Sequence, residues 1–221
     1  MDFMRILKSL EELLYEVMVL LVFYPRTLWL TLRHPQRMMD YADTELGDVQ
    51  SEQYTDTLSP PLFLMISLAI SHGIELAVHS TIPAAQQTKL LATSENLLLF
   101  RVFAFSLLPL ALSLRLLAGL KIDLTRETLR APFYAQCFIT APFALSIGLA
   151  FSLRHYSHDV RDLAGTALIV TSTAWFLWQQ ASWFVEKLGF GFWRGLLAAV
   201  FATILAAIGM MAVGFVIVEL T

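Results

Sequence analysis

Three ionisable side chains share one face of the helix predicted for the first long apolar stretch. His72, Glu75 and His79 follow one another at spacings of three and four residues, which places side chains on one side of a helix. Charges inside a membrane are costly unless paired or hydrated, so a function is the default hypothesis for such residues. Arg101, near the start of the next stretch, is the predicted partner of Glu75. Two hypotheses stay open: a polar path, or an ion pair that locks two helices together.

A second group of ionisable residues has the types that bind metals. His155, His158 and Asp159 lie in a short polar connection, which is predicted to reach the same membrane face as His79. Three imidazoles and a carboxylate are ligands that zinc accepts in tetrahedral sites. The alternative is that these are ordinary polar residues at a wet interface. An intramembrane enzyme built on this group would need stoichiometric zinc.

Other chemistry is not expected from this sequence. It contains no nucleophile elbow, no phosphate-binding glycine loop and no H-E-x-x-H motif. The net charge of −3 argues against a nucleic-acid partner. We therefore expect a protein that is not an enzyme and has no cofactor.

Five long apolar stretches determine the predicted fold class. A bilayer core about 30 Å thick takes about 20 helical residues to cross. Hydrophobic residues make up 57% of the chain and charged residues 15%, fewer charges than soluble domains carry. The sequence predicts an all-α, polytopic bundle of five transmembrane helices in the lipid bilayer, within residues 61–220. The predicted spans are 61–79, 95–120, 131–153, 163–185 and 195–220.

The first 60 residues precede the predicted bundle. Residues 1–23 carry their polar side chains in one stripe, which predicts an amphipathic helix in the membrane interface that ends or kinks at Pro25. A re-entrant helix is the alternative. Residues 24–60 are interpreted as a cytoplasmic linker, first basic and then acidic. Lysine and arginine concentrate in the N-terminal segment and after the second and fourth spans, which predicts a cytoplasmic N-terminus and an external C-terminus.

Three segments carry a resemblance to a known family. They are the aromatic, proline-containing entry at 24–29, the junction 125–142 before and within the third span, and Phe192-Trp193 before the last span. In these segments the chain resembles the Yip-type integral membrane family. The resemblance implies five spans, a cytoplasmic N-terminus and no catalytic residues. It also implies vesicle traffic in eukaryotes, whereas bacterial relatives are labelled permeases. The N-terminal amphipathic helix and the His72/Glu75/His79 face depart from the family.

Together these features predict a non-enzymatic, permease- or channel-like protein of the bacterial inner membrane. It is expected to act as a homo-oligomer with a polar path near His72, Glu75 and Arg101. The odd number of spans and the lack of matching halves argue against a secondary transporter made from one chain. The alternative is a membrane-organising or partner-binding protein without transport. That protein would use residues 1–23 and the acidic segment to engage a membrane protein or to shape the bilayer.

Overall fold

Helices account for nearly all regular structure in this chain. The computed structural model describes residues 2–49, 52–78, 94–154 and 159–219, and within these ranges it contains seven α-helices and no strand. The predicted all-α bundle is confirmed. The helices are α1 (Asp2–Arg33), α2 (Pro35–Gly47), α3 (Pro60–Val78), α4 (Ser94–Leu120), α5 (Arg126–Arg154), α6 (Asp159–Leu188) and α7 (Phe192–Glu219).

Five of the described helices are long and apolar enough to cross a membrane, so the protein is a multi-pass integral membrane protein. The number of candidate membrane-spanning helices agrees with the prediction, but they are not the same five helices. The N-terminal helix is one of the five, and α6, which contains the predicted span 163–185, is not. The five stretches are Leu7–Arg33, Pro60–Val78, Leu97–Leu120, Arg126–Arg154 and Phe192–Phe215.

The lower hydropathy of α6 has a structural reason. Gln179 and Gln180 interrupt its apolar sequence, and Gln180 is completely buried against α5. The helix has 30 residues and packs between α5 and α7. A rise of about 1.5 Å per residue makes it longer than the bilayer core is thick. Gln179 and Gln180 make their side-chain contacts with neighbouring helices, which a hydropathy average cannot distinguish from exposure to water.

α5 is the central helix of the bundle. α2, α3, α4 and α6 all pack against it, and every residue from Ala135 to Ala144 is buried. The Phe138 ring lies 6.1 Å from that of Phe63 in α3, and the Phe143 ring stacks on that of Phe176 in α6 at 4.4 Å. In the described part of the chain, side chains thus fill the middle of the bundle.

The C-terminal half of α1 packs on the start of α3. The helix continues through Pro25 to Arg33, beyond the end expected near Phe23. The Tyr24 hydroxyl hydrogen-bonds the Ser67 hydroxyl at 3.1 Å. Proline at position 25 removes only one backbone hydrogen bond, so the helix can continue through it. The contact with α3 then holds this part of α1 in place.

The N-terminal half of α1 exposes its apolar side chains. Leu14 is 62% exposed and Leu21 is 71% exposed, and packing against the core begins only at Leu20. This half is the amphipathic segment of the sequence analysis, and its apolar surface is left for lipid or for another protein. The other exposed apolar or aromatic residues described in this half are Met4, Leu7, Leu10, Leu13, Tyr15, Val17, Met18 and Val22.

The segment interpreted as a linker, 24–60, is largely helical. It contains the end of α1 and all of α2, which docks on α5 and α6. α2 buries Met38, Met39 and Ala42 completely or nearly so. Burial of these side chains explains why an acidic segment folds against the bundle. We call this end of the bundle, where α4 and α6 finish and α5 begins, the α2 end.

The end of α4 is closed by a residue with positive φ. Lys121 has φ 57°, and the N–H of Ile122 donates to the carbonyl of Leu117 at 3.1 Å. The N–H of Lys121 donates to the carbonyl of Ala118 at 3.4 Å. Together these two bonds form a Schellman motif, in which glycine is the preferred residue at the position of Lys121.

Lys121→Gly is therefore expected to stabilise the protein by about 0.5–1 kcal/mol, because glycine adopts positive φ without a steric penalty. The thermal unfolding midpoint in detergent measures this. Lys121→Ala is the control, since it removes the side chain and keeps the strained φ. An equal gain from both variants would contradict the explanation.

Candidate functional site

One face of α3 brings three polar side chains into the bundle. Ser71 and His72 are buried, at 3% and 5% exposure, and Glu75 lies one turn further along the same helix. His79, the last member of the predicted face, lies outside the described residues. We call Ser71, His72, Glu75 and Arg101 the polar cluster.

Arg101 of α4 and Glu75 of α3 form an ion pair. Their side chains are 22% and 30% exposed, so the pair lies at the seam between the two helices rather than in the packed middle. Pairing reduces the cost of keeping two charges in an apolar environment. The pairing expected from the sequence is thus present, while a role in a path stays a prediction.

His72 has an unusual environment for a buried imidazole. Neither Nδ1 nor Nε2 has a hydrogen-bond partner among the described residues. A buried polar group without a partner costs free energy that a phenylalanine or leucine would not cost. The ring is three residues, about 4.5 Å of helix rise, from Glu75. An imidazole whose nitrogen atoms have no partner among the described residues therefore lies about one helical turn from the ion pair.

A close approach of α3 and α5 fixes the position of this face. A Cβ atom at Gly148 would lie 1.6 Å from the Ser71 Oγ and 2.9 Å from the Ser71 Cβ. Only glycine permits this contact, because the added carbon would overlap with Ser71. The glycine therefore sets the distance at which the buried part of the polar cluster meets the central helix.

A second buried polar contact joins α5 and α6. The Gln180 side-chain amide donates to the Gln136 Oε1 at 2.6 Å, and both residues are completely buried. Only the packing of α5 on α6 identifies Gln136 as the partner of Gln180. Interhelical amide contacts of this kind hold membrane helices together.

Replacing either glutamine with leucine is expected to destabilise the protein, because the remaining amide loses its partner in an apolar environment. The Gln136→Leu/Gln180→Leu double variant is expected to lose less unfolding free energy than the two single variants lose together. We expect a coupling of about 1 kcal/mol in a double-mutant cycle of unfolding free energies. Additive single effects would show that the two amides do not interact.

At the α2 end lies a cavity of about 350 Å³ whose lining is mostly apolar and includes the charged residues Asp43 and Lys187. The Lys187 Nζ lies 2.7 Å from the Asp40 Oδ1 and 4.4 Å from the centroid of the Trp183 ring. Asp43 also lines the cavity; burial raises the pKa of this carboxyl, and Lys187 opposes the rise. These contacts tie α2 to α6, a role for the acidic segment that the sequence analysis does not anticipate.

Asp43→Asn is expected to raise the unfolding temperature at neutral pH. A carboxyl with a raised pKa in the folded state stabilises the fold at low pH and loses this contribution as pH rises through the folded-state pKa. The gain from asparagine should therefore vanish below about pH 3.9, the ordinary carboxyl pKa. Thermal scans across pH test this. Asp40→Asn should lower the unfolding temperature, and a gain in both variants would contradict the assignment.

The predicted metal ligands are not tested by the structure. His79, His155 and His158 lie outside the described residues, and Asp159 begins α6 with a side chain that the structure does not describe. Among the described residues, no group of three or more histidine, cysteine, aspartate or glutamate side chains is placed to hold a metal ion. The proposed zinc site stays a prediction.

Comparisons with known proteins find no protein similar to this chain. No family model, no curated protein and no solved structure matches it. The resemblance to the Yip-type family therefore stays a prediction, and the functional argument depends on the chain's own residues.

Proposed function

We propose that the protein is a proton-conducting or proton-coupled membrane permease that uses the polar cluster. The observation that carries the proposal is the buried imidazole of His72, whose two nitrogen atoms have no partner among the described residues. Histidine and carboxylate chains inside membrane proteins commonly relay protons. His72 and Glu75 supply side chains that can exchange a proton within the membrane, and Arg101 places a fixed positive charge beside Glu75.

The proposal includes assembly into a homo-oligomer. Side chains of α5 fill the middle of the single chain in its described part, which leaves little room for a path there. The Glu75–Arg101 pair, in contrast, lies partly exposed at the α3–α4 seam. A second copy against this seam would shield the pair from lipid and would enclose the cluster between the two copies.

The proposed orientation places the α2 end in the cytoplasm of a bacterial cell. Its support is the concentration of positive charge at this end, including Arg33, Arg37, Lys121, Arg126 and Arg130. Lysine and arginine favour the cytoplasmic side of membrane proteins. The inner membrane and a family relation to the Yip-type proteins stay parts of the proposal.

Proton flux into liposomes tests the function. With purified protein in potassium-loaded vesicles, valinomycin imposes a potential and an internal pH dye reports proton entry. We expect flux above that of empty vesicles, and Glu75→Gln should change its rate and its pH dependence. Glu127→Gln, an exposed carboxyl in the first turn of α5, is the control. Flux equal to that of empty vesicles, or unchanged flux in Glu75→Gln, would refute the proposal.

A second function, membrane organisation or partner binding, is favoured by α1. Its N-terminal half exposes Leu14 and Leu21 and packs on nothing else in the described chain before Leu20. Deletion of residues 1–18 keeps the contacts of Tyr24 and Ser67, so the bundle should remain folded. If this function is correct, the deletion removes co-purifying membrane proteins or changes vesicle shape, and it leaves proton flux unaltered.

A further inference from the structure

A groove runs between α4 and α7. Its volume is about 450 Å³, within the usual range for small-ligand sites. Ala202 and Ala206 of α7 are buried at its floor, while Phe201 stands beside them with 63% exposure. The groove is deep because small alanine side chains lie next to the large side chain of Phe201. Its lining is almost entirely apolar, with leucines such as Leu107 and Leu114 from α4.

Of the described residues that line this groove, Arg115 alone is charged. The side chain is partly buried and forms no hydrogen bond or ion pair with any described residue. Arg101, the other arginine of α4, is paired with Glu75. Arg115 precedes the end of α4 at Leu120 by five residues, about 7.5 Å of helix rise, which puts it near the headgroup level of the α2 end.

We infer that this groove binds an anionic phospholipid, with one acyl chain between α4 and α7 and the phosphate on Arg115. An unpaired guanidinium beside an apolar wall needs an anionic partner, and its planar donors fit phosphate oxygens in pairs. An acyl chain matches the apolar lining of the groove. A zwitterionic headgroup carries its own cation beside the phosphate, whereas an anionic headgroup leaves its phosphate to be paired by Arg115, so we expect a preference for the anionic lipid.

Lipid retention tests the inference. The full-length protein is delipidated in detergent, mixed with equal amounts of phosphatidylglycerol and phosphatidylcholine, and analysed by native mass spectrometry. Wild type should retain phosphatidylglycerol in preference to phosphatidylcholine. Arg115→Gln should reduce this preference about tenfold, the loss expected for one charge-assisted contact.

Two further variants separate a specific site from general attraction. Lys121→Gln removes a positive charge at the same end outside the groove lining and should keep the preference. Ala206→Leu fills the floor of the groove and should reduce retention of both lipids, with folding checked by the unfolding temperature. Equal preference in wild type and Arg115→Gln would overturn the inference. Equal losses in Arg115→Gln and Lys121→Gln would also overturn it, because they would indicate attraction by surface charge alone.

Discussion

Gly148→Leu is expected to lower the free energy of unfolding by more than about 4 kcal/mol, so that the protein no longer accumulates in a folded state. A Cβ atom at this position would lie 1.6 Å from the Ser71 Oγ, and leucine adds three further carbons in the same space. α3 and α5 would have to separate, which would disrupt the packing along the central helix. Yield of monodisperse protein and its unfolding temperature in detergent measure the effect.

A rescue variant makes this prediction specific. Ser71→Gly removes both side-chain atoms that a Cβ at position 148 would meet, and the Ser71 Cα lies 3.9 Å away, at ordinary contact distance. Gly148→Ala/Ser71→Gly should therefore be more stable than Gly148→Ala alone. Gly73→Ala is the control, since a Cβ there meets nothing within 4 Å. A stable Gly148→Leu variant would show that the two helices do not approach this closely.

Arg101→Gln is expected to cost about 3 kcal/mol of stability. The substitution leaves the Glu75 carboxylate without its cationic partner, and breaking a buried pair costs about 3–5 kcal/mol. The lower end of this range applies because the two side chains keep 22% and 30% exposure. Denaturant titration in detergent micelles provides the measurement.

The neutral double variant distinguishes the pair from its separate charges. Glu75→Gln/Arg101→Gln should be more stable than Arg101→Gln, because it leaves no unpaired charge. If this double variant is fully stable and still conducts protons as wild type does, the ion pair is dispensable for both roles. If it is stable but has lost flux, the pair serves the path rather than the fold.

Much of the bundle was predictable because its signals are local. Apolar stretches long enough to cross a bilayer indicate the membrane helices, and the three- and four-residue spacing of His72 and Glu75 indicates a shared face. The pairing with Arg101 followed from the expected depth of two consecutive spans. Each of these inferences uses residues within one helix or within two helices adjacent in the chain.

The remaining features depend on contacts that a single sequence does not reveal. Gln136 and Gln180 are 44 residues apart, and only the register of α5 against α6 brings them together. The acidic residues of α2 indicate a solvated linker, so the sequence does not predict that this helix docks on the bundle. Met38, Met39 and Ala42 nevertheless provide an apolar face. That the His72 nitrogens find no partner among the described residues is a property of its surroundings and not of its position in the chain.

Proton flux in the His72→Phe variant tests the central claim most directly. The ring of phenylalanine fills a similar volume and needs no hydrogen-bond partner, so the variant should keep the native mass and should unfold at a temperature no lower than that of wild type. We expect reconstituted His72→Phe to conduct protons no faster than empty vesicles, while wild type conducts measurably faster. Equal flux in the variant and in wild type would refute the proposed proton path, because the imidazole would then have no part in moving protons.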